Sequence, residues 1–169
     1  MKKIVIIGPE STGKSTLCTQ LADHFNCSYL PEYARSYLEE KGSNYNYEDV
    51  LLMAKGQLES EKNFKPNTPF HFIDTNIMVF KVWIEEKYKV KVDWIEEEIE
   101  NDECDFYFLC GTDIAWKDDP LRENPDQKDR DRLLRRYHEL ILQSKKPYAI
   151  LKGNESDRLE DALKYLKKN

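Results

Sequence analysis

The chain has 169 residues, 40% hydrophobic and 34% charged, which excludes a disordered polymer and allows one domain with a full core over residues 1–169. Its formal net charge of −6 excludes broad nucleic-acid binding, which needs a basic face. No apolar run is long enough to span a bilayer, and the run after Met1-Lys2-Lys3 is too short for a secretory signal, so a cytoplasmic location and no membrane partner are expected.

In chain order, residues 3–7 (KIVII) read as a strand, 8–16 (GPESTGKST) as a glycine-bearing loop and 17–25 as a helix. A second short strand is expected at 27–30, a helix at 50–64, a third strand at 69–73 and a helix at 76–88. Residues 94–102 read as an acidic amphipathic helix and 105–110 as a fourth strand. Residues 112–126, polar and with two prolines, read as a loop before an arginine-bearing helix, and 147–151 as a fifth strand. Short strands alternating with helices predict a three-layer α/β fold around a five-stranded parallel sheet. Cys18, Cys27, Cys104 and Cys110 form no CxxC pair and His24, His71 and His138 are scattered, so reduced core cysteines are expected and a zinc site is not.

Gly8, Gly13, Lys14 and Ser15 satisfy G-x-x-x-x-G-K-[ST] between a strand and a helix. A chance match in a chain this long has odds of roughly one in a hundred or less. The chemistry needs these residues. Glycines let Gly8, Pro9, Glu10, Ser11, Thr12, Gly13, Lys14, Ser15 and Thr16 curl into a nest of inward N–H groups at a helix N-terminus, which attracts phosphate. Lys14 is expected on the β- and γ-phosphates of ATP and the Ser15 hydroxyl on Mg2+, with Thr16 supporting the first helical turn.

In open α/β sheets ligands bind beyond the carboxyl ends of the strands. That rule selects Pro31-Glu32-Tyr33-Ala34-Arg35, Asp74-Thr75-Asn76 and Gly111-Thr112-Asp113. Asp74 ends an apolar run as in a Walker B strand and is the candidate second Mg2+ ligand, or else a helix N-cap. Glu32 is the candidate general base for an acceptor hydroxyl, with Asp74 the other acid that could serve. Arg35, three residues on, is expected to share a helix face with Glu32 and pair with it or touch phosphate. The segment around 112–130 carries Arg122 and leads to Arg130, and reads as a cationic lid able to exclude water from the transfer site. Trp116 in that lid either stacks on a ring of the substrate or packs the lid itself.

Taken in order, GPESTGKSTL (8–17), EYAR (32–35), KGQ (55–57), FIDT (72–75) and W-x-x-D-x-L-R (116–122), with Arg130 after them, resemble the ribosylnicotinamide kinase domain of NadR-type proteins, within the P-loop nucleoside and nucleotide kinases. The resemblance runs over nearly the whole chain. It implies sheet order 2-3-1-4-5, an arginine-bearing lid, and transfer of phosphate from ATP to the 5′-hydroxyl of nicotinamide riboside. It places Lys14, Glu32, Asp74, Arg122 and Arg130 in catalysis and Glu32, Tyr33, Arg35, Gln57, Asp74, Asn76 and Trp116 at the acceptor. Two positions depart from the family pattern: Pro31 replaces a tryptophan, and Asn76 replaces the second acid of D-T-D. An aromatic partner for a pyridinium ring is thereby left to Tyr33 or Trp116. The adenylyltransferase and DNA-binding modules of NadR-type proteins are not expected. The remaining readings are another nucleoside, deoxynucleoside or nucleotide kinase, or a nucleotide-dependent ATPase or GTPase switch, although the guanine signature N-K-x-D does not occur. The choice between ATP and GTP and the oligomeric state are left open.

Overall fold

The computed structural model describes residues 2–65 and 68–168. Four strands, β1 (Lys2–Ile7), β2 (Phe70–Asp74), β3 (Phe106–Cys110) and β4 (Tyr148–Leu151), pair in parallel in the order β2-β1-β3-β4. Between them run α1 (Lys14–Phe25), α2 (Tyr33–Lys41), α3 (Tyr47–Asn63), α4 (Ile77–Tyr88), α5 (Asp93–Glu100), α6 (Gln127–Ser144) and α7 (Glu155–Lys168). Strand alternation sorts the core. Val5, Ile7, Ile73 and Leu109 face α4 and α6, while Ile4, Ile6, Phe72 and Phe108 face α1 and α7. A third apolar cluster joins α2, α3, α4 and α5 beside the sheet.

The expected five strands and the expected order are not what forms among the described residues. The segment at 27–30 makes one parallel bridge, Leu30 to Ile73, instead of a strand. Leu30 donates to Phe72 O and accepts from Asp74 N, both at 2.9 Å. The next residue whose N–H could extend the ladder is Glu32, which already stands at the N-cap position of α2. This single bridge still does one thing for the site: it brings Glu32 to the carboxyl end of β2, level with Asp74.

The contact between α2 and α3 explains two of the ordered motifs. Tyr33 begins α2 and its ring lies on Gly56 of α3. A Cβ at Gly56 would sit 2.2 Å from Tyr33 Cε1, so only glycine allows the approach. The neighbouring Gln57 accepts from Tyr33 N at 3.0 Å. EYAR and KGQ are therefore two halves of one helix–helix junction.

Exposed helical Gly→Ala changes gain about 1 kcal/mol in propensity, whereas overpacking costs about 1–3 kcal/mol. Gly56→Ala is therefore expected to destabilise the fold in urea denaturation, and to do so much less in a Tyr33→Ala background. Equal loss in both backgrounds would show that the ring contact is not the cause.

Candidate active site

The loop from Gly8 to Thr16 leaves β1 at the sheet's carboxyl edge. Gly8 has φ 149° and a Cβ there would meet Cys110 O at 2.7 Å, so the loop crosses tight against the end of β3. Ser11 and Gly13 also have positive φ, 55° and 76°. Thr12 Oγ1 and Lys14 Nζ both donate to Pro9 O at 2.8 Å, closing the curl. Gly13 caps α1 without a side chain, so the first-turn N–H groups open into a cleft of about 830 Å3 lined by the whole loop.

Two acids stand opposite the loop. Ser15 Oγ donates to Asp74 Oδ2 at 2.5 Å, while Asp74 Oδ1 is buried with no hydrogen-bond partner among the described residues. A serine hydroxyl beside a carboxylate oxygen with an unused lone pair is a donor set that fits Mg2+, a hard cation that commonly takes one or two protein oxygens and completes its shell with water and phosphate. Among the described residues no group of three or more His, Cys, Asp or Glu is arranged for a metal. Burial raises the Asp74 carboxyl, against the pull of Lys14, the Ser15 hydrogen bond and Arg122. Glu32 lines the same cleft. Burial, then the Asp74 charge and Glu10, push its carboxyl up to about 7, opposed by Lys14 and Arg122.

Both acids are spared from capping. Glu32 is the residue before α2, but its side chain makes no cap bond, and Gln57 accepts from Tyr33 N in its place. Asn76, not Asp74, caps α4 by accepting from Met78 N. Thr75 between them holds φ 64°, a strained conformation for a β-branched residue. Its N–H donates to Ile6 O and its carbonyl accepts from Gln57 Nε2 at 3.2 Å.

Several residues expected at the acceptor lie elsewhere. Gln57 is fully buried behind the strand ends, its amide spent on Tyr33, Glu61 and Thr75. Asn76 points inward to Asp102 and Tyr107, at 2.8 and 3.2 Å. The Tyr33 ring is committed to Gly56, and Trp116 sits outside the cleft near Arg130, whose guanidinium carbon is 6.0 Å from its ring centre. Arg130 itself is buried, donating to Ser11 O and Ile114 O at 2.9 Å; it braces the loop from behind instead of facing it. Arg35 lines the cleft but pairs with Glu39 and Asp119, not with Glu32, because Glu32 precedes the helix. Arg122 does reach the cleft, its guanidinium 3.6 Å from Asp119.

Other participants left no mark in the sequence. Arg158 of α7 is buried and donates to Thr12 O, Gly111 O and Asp113 Oδ1, a second brace under the loop. Trp83 and Tyr137, spaced like core residues on α4 and α6, give the cleft aromatic surface together with the apolar Val79, Val82 and Leu133. The loop at 112–126 lies closed across the cleft. Lys117 N donates to Ser11 Oγ at 2.9 Å, Lys87 pairs with Glu123 at 2.8 Å, and Arg35 with Asp119 at 2.5 Å.

The raised Glu32 carboxyl has a consequence for stability. An acid that binds its proton more tightly when folded makes stability fall as pH rises from its ordinary value near 4.5 to about 7. Glu32→Gln removes that loss. In metal-free buffer its Tm advantage over the natural chain is expected to be near zero at pH 5 and to grow toward pH 8; a gap that stays constant would show that Glu32 is not strained by its surroundings.

Among the described residues no helix is long and apolar enough to cross a membrane. Two curated relatives, the trifunctional NAD biosynthesis/regulator protein NadR of Salmonella typhimurium and of Escherichia coli, are 26% and 27% identical over 136 and 135 residues. Each alignment covers 77% of this chain and 33% of the relative, so the chain matches about a third of their length. Among solved structures, NadR in complex with NR superposes with TM-score 0.73 at 21% identity, over 99% of this chain and 50% of that one. The deoxyadenosine kinase of M. mycoides with bound dATP gives 0.69 at 14% identity, over 99% and 100%. Both share the fold. Residues 3–158 match the family described as the AAA domain, and with its phosphate loop in place the chain belongs to that family.

Proposed function

We propose that residues 1–169 form one kinase domain that transfers phosphate from ATP to the 5′-hydroxyl of a nucleoside, nicotinamide riboside being the first acceptor to test. The observation that carries this is the placement of Glu32. Its carboxyl, unspent on capping and with high proton affinity, shares one cleft with Lys14, Ser15 and Asp74. A protein that only holds or hydrolyses a nucleotide has no need of the further aromatic and apolar lining that Trp83, Tyr137, Val79 and Leu133 give that cleft. The NadR relatives and the deoxyadenosine kinase likeness support a nucleoside as the class of acceptor.

In this reading the N–H groups of the loop and Lys14 hold the β- and γ-phosphates. Ser15 and Asp74 would hold Mg2+, which when bound supplies positive charge against the phosphate oxygens. Glu32 orients the acceptor hydroxyl and takes its proton as the oxygen attacks in line. Arg122 takes up charge on the departing side, and the closed lid keeps water out. The acceptor ring lies toward Trp83 and Tyr137, which replaces the expected roles of Tyr33 and Trp116. The other reading kept is a different nucleoside or deoxynucleoside, since the aromatic lining of the cleft selects flatness more than one particular ring.

The test is an acceptor panel with labelled ATP. Phosphorylation dependent on an added nucleoside is expected, and hydrolysis alone, unchanged by every acceptor, would remove the kinase reading. Glu32→Gln should lower kcat by about 10²–10⁴-fold with ATP affinity little changed. Asp74→Asn should raise the Mg2+ concentration needed for half-maximal activity; an unchanged Mg2+ requirement would take Asp74 out of the metal site.

A further inference from the structure

Glu10 lies in the phosphate loop but its carboxylate faces the lid. Oε2 accepts from Glu123 N at 3.1 Å and from Asn124 N and Asn124 Nδ2, both at 3.0 Å. Oε1 adds only a longer contact to Glu123 N at 3.2 Å. Three donors converging on one oxygen of a loop residue more than a hundred positions away in sequence is a specific junction, not a surface coincidence. The residue immediately before this junction is Arg122.

Arg122 is held on its other side as well. Its N–H donates to Asp119 O at 3.0 Å, and Asp119 Oδ1 accepts from Leu121 N at 3.0 Å. Asp119 fixes the turn entering Arg122; Glu10 fixes the chain leaving it. Between these two anchors the guanidinium projects into the cleft that also holds Glu32 and Asp74. We infer that Glu10 is a positioning residue: it latches the lid to the phosphate loop so that Arg122 is aimed at the transferring phosphate only when the lid is shut. The inference rests on the kinase reading above for the identity of what Arg122 meets, but the latch itself does not.

The geometry makes a particular demand on the variants. Because Oε2 takes the two Asn124 contacts and the shorter one from Glu123 N, a glutamine can keep the latch through its amide oxygen and lose only the Oε1 contact, whereas alanine keeps none. A role through charge, toward nucleotide or metal, would be lost in both. Backbone hydrogen exchange at Glu123 and Asn124 reads the latch directly: exchange is expected to quicken by roughly tenfold or more in Glu10→Ala and to stay near the natural rate in Glu10→Gln. Unchanged protection in Glu10→Ala overturns the proposal whatever the activity shows.

With an active acceptor in hand, Glu10→Ala should lower kcat by about 100-fold, the scale expected for a misplaced catalytic group, while the KM for ATP moves by less than about threefold. Glu10→Gln should keep kcat within about threefold of the natural chain. In an Arg122→Ala background, removing Glu10 as well should add little, because both changes disable one unit. An undiminished further loss in that background, a rise in KM for ATP in place of the fall in kcat, or equal damage from glutamine and alanine would each overturn it. If no acceptor is phosphorylated at all, the kinase reading falls, and the exchange measurement still decides the latch.

Discussion

The hydrogen bond from Ser15 to Asp74 is the constraint around which the site is organised. It joins the first turn of α1 to the last residue of β2, and so fixes the phosphate loop against the strand edge. It also uses one oxygen of Asp74 and leaves the other buried and unpartnered. A buried carboxylate in that position raises the proton affinity of any acid placed next to it. Glu32 is placed there by a single bridge through Leu30. Burial of Glu32, and then the Asp74 charge beside it, set up the electrostatic tension, and the site tolerates it because the surrounding backbone is held from behind.

That support is made by polar groups turned away from the cleft. Arg130 and Arg158 donate to the carbonyls of Ser11 and Thr12 and occupy their guanidiniums on the loop's underside. Buried cations gain most from fixed oxygen partners, and each would leave unsatisfied carbonyls behind if removed. Gln57 and Asn76 do comparable work with neutral amides. Each satisfies a helix N-terminus that an adjacent acid would otherwise serve, so Glu32 and Asp74 keep their charge for the cleft.

Much of this was legible from the chain alone. The loop at 8–16 was recognisable because its function demands glycine and lysine at fixed spacing, and β1, β2, β3 and β4 because buried parallel strands are short apolar runs. The carboxyl-edge rule located Glu32 and Asp74 without side-chain information. What escaped was direction. Gln57, Asn76, Tyr33 and Arg130 belong to motifs that flank the site, but whether a flanking polar residue touches ligand or braces backbone depends on a turn as local as the positive φ of Thr75. Trp83 and Tyr137 escaped for the opposite reason: helical periodicity marks an apolar residue as inward, and the inside of this protein includes the cleft. The missing fifth strand follows from the early start of α2, with Glu32 at its N-cap position, which leaves only Leu30 to pair with β2.

The seat of the Tyr33 ring on Gly56 has a mechanical meaning. Glu32 sits at the root of α2, and α2 is locked to α3 both by that ring and by the Gln57 amide. Neither helix can tilt alone without tearing the junction. Any movement of Glu32 must therefore carry the pair as one lever arm, so that a change at the carboxylate is spread over a surface far larger than the carboxylate itself.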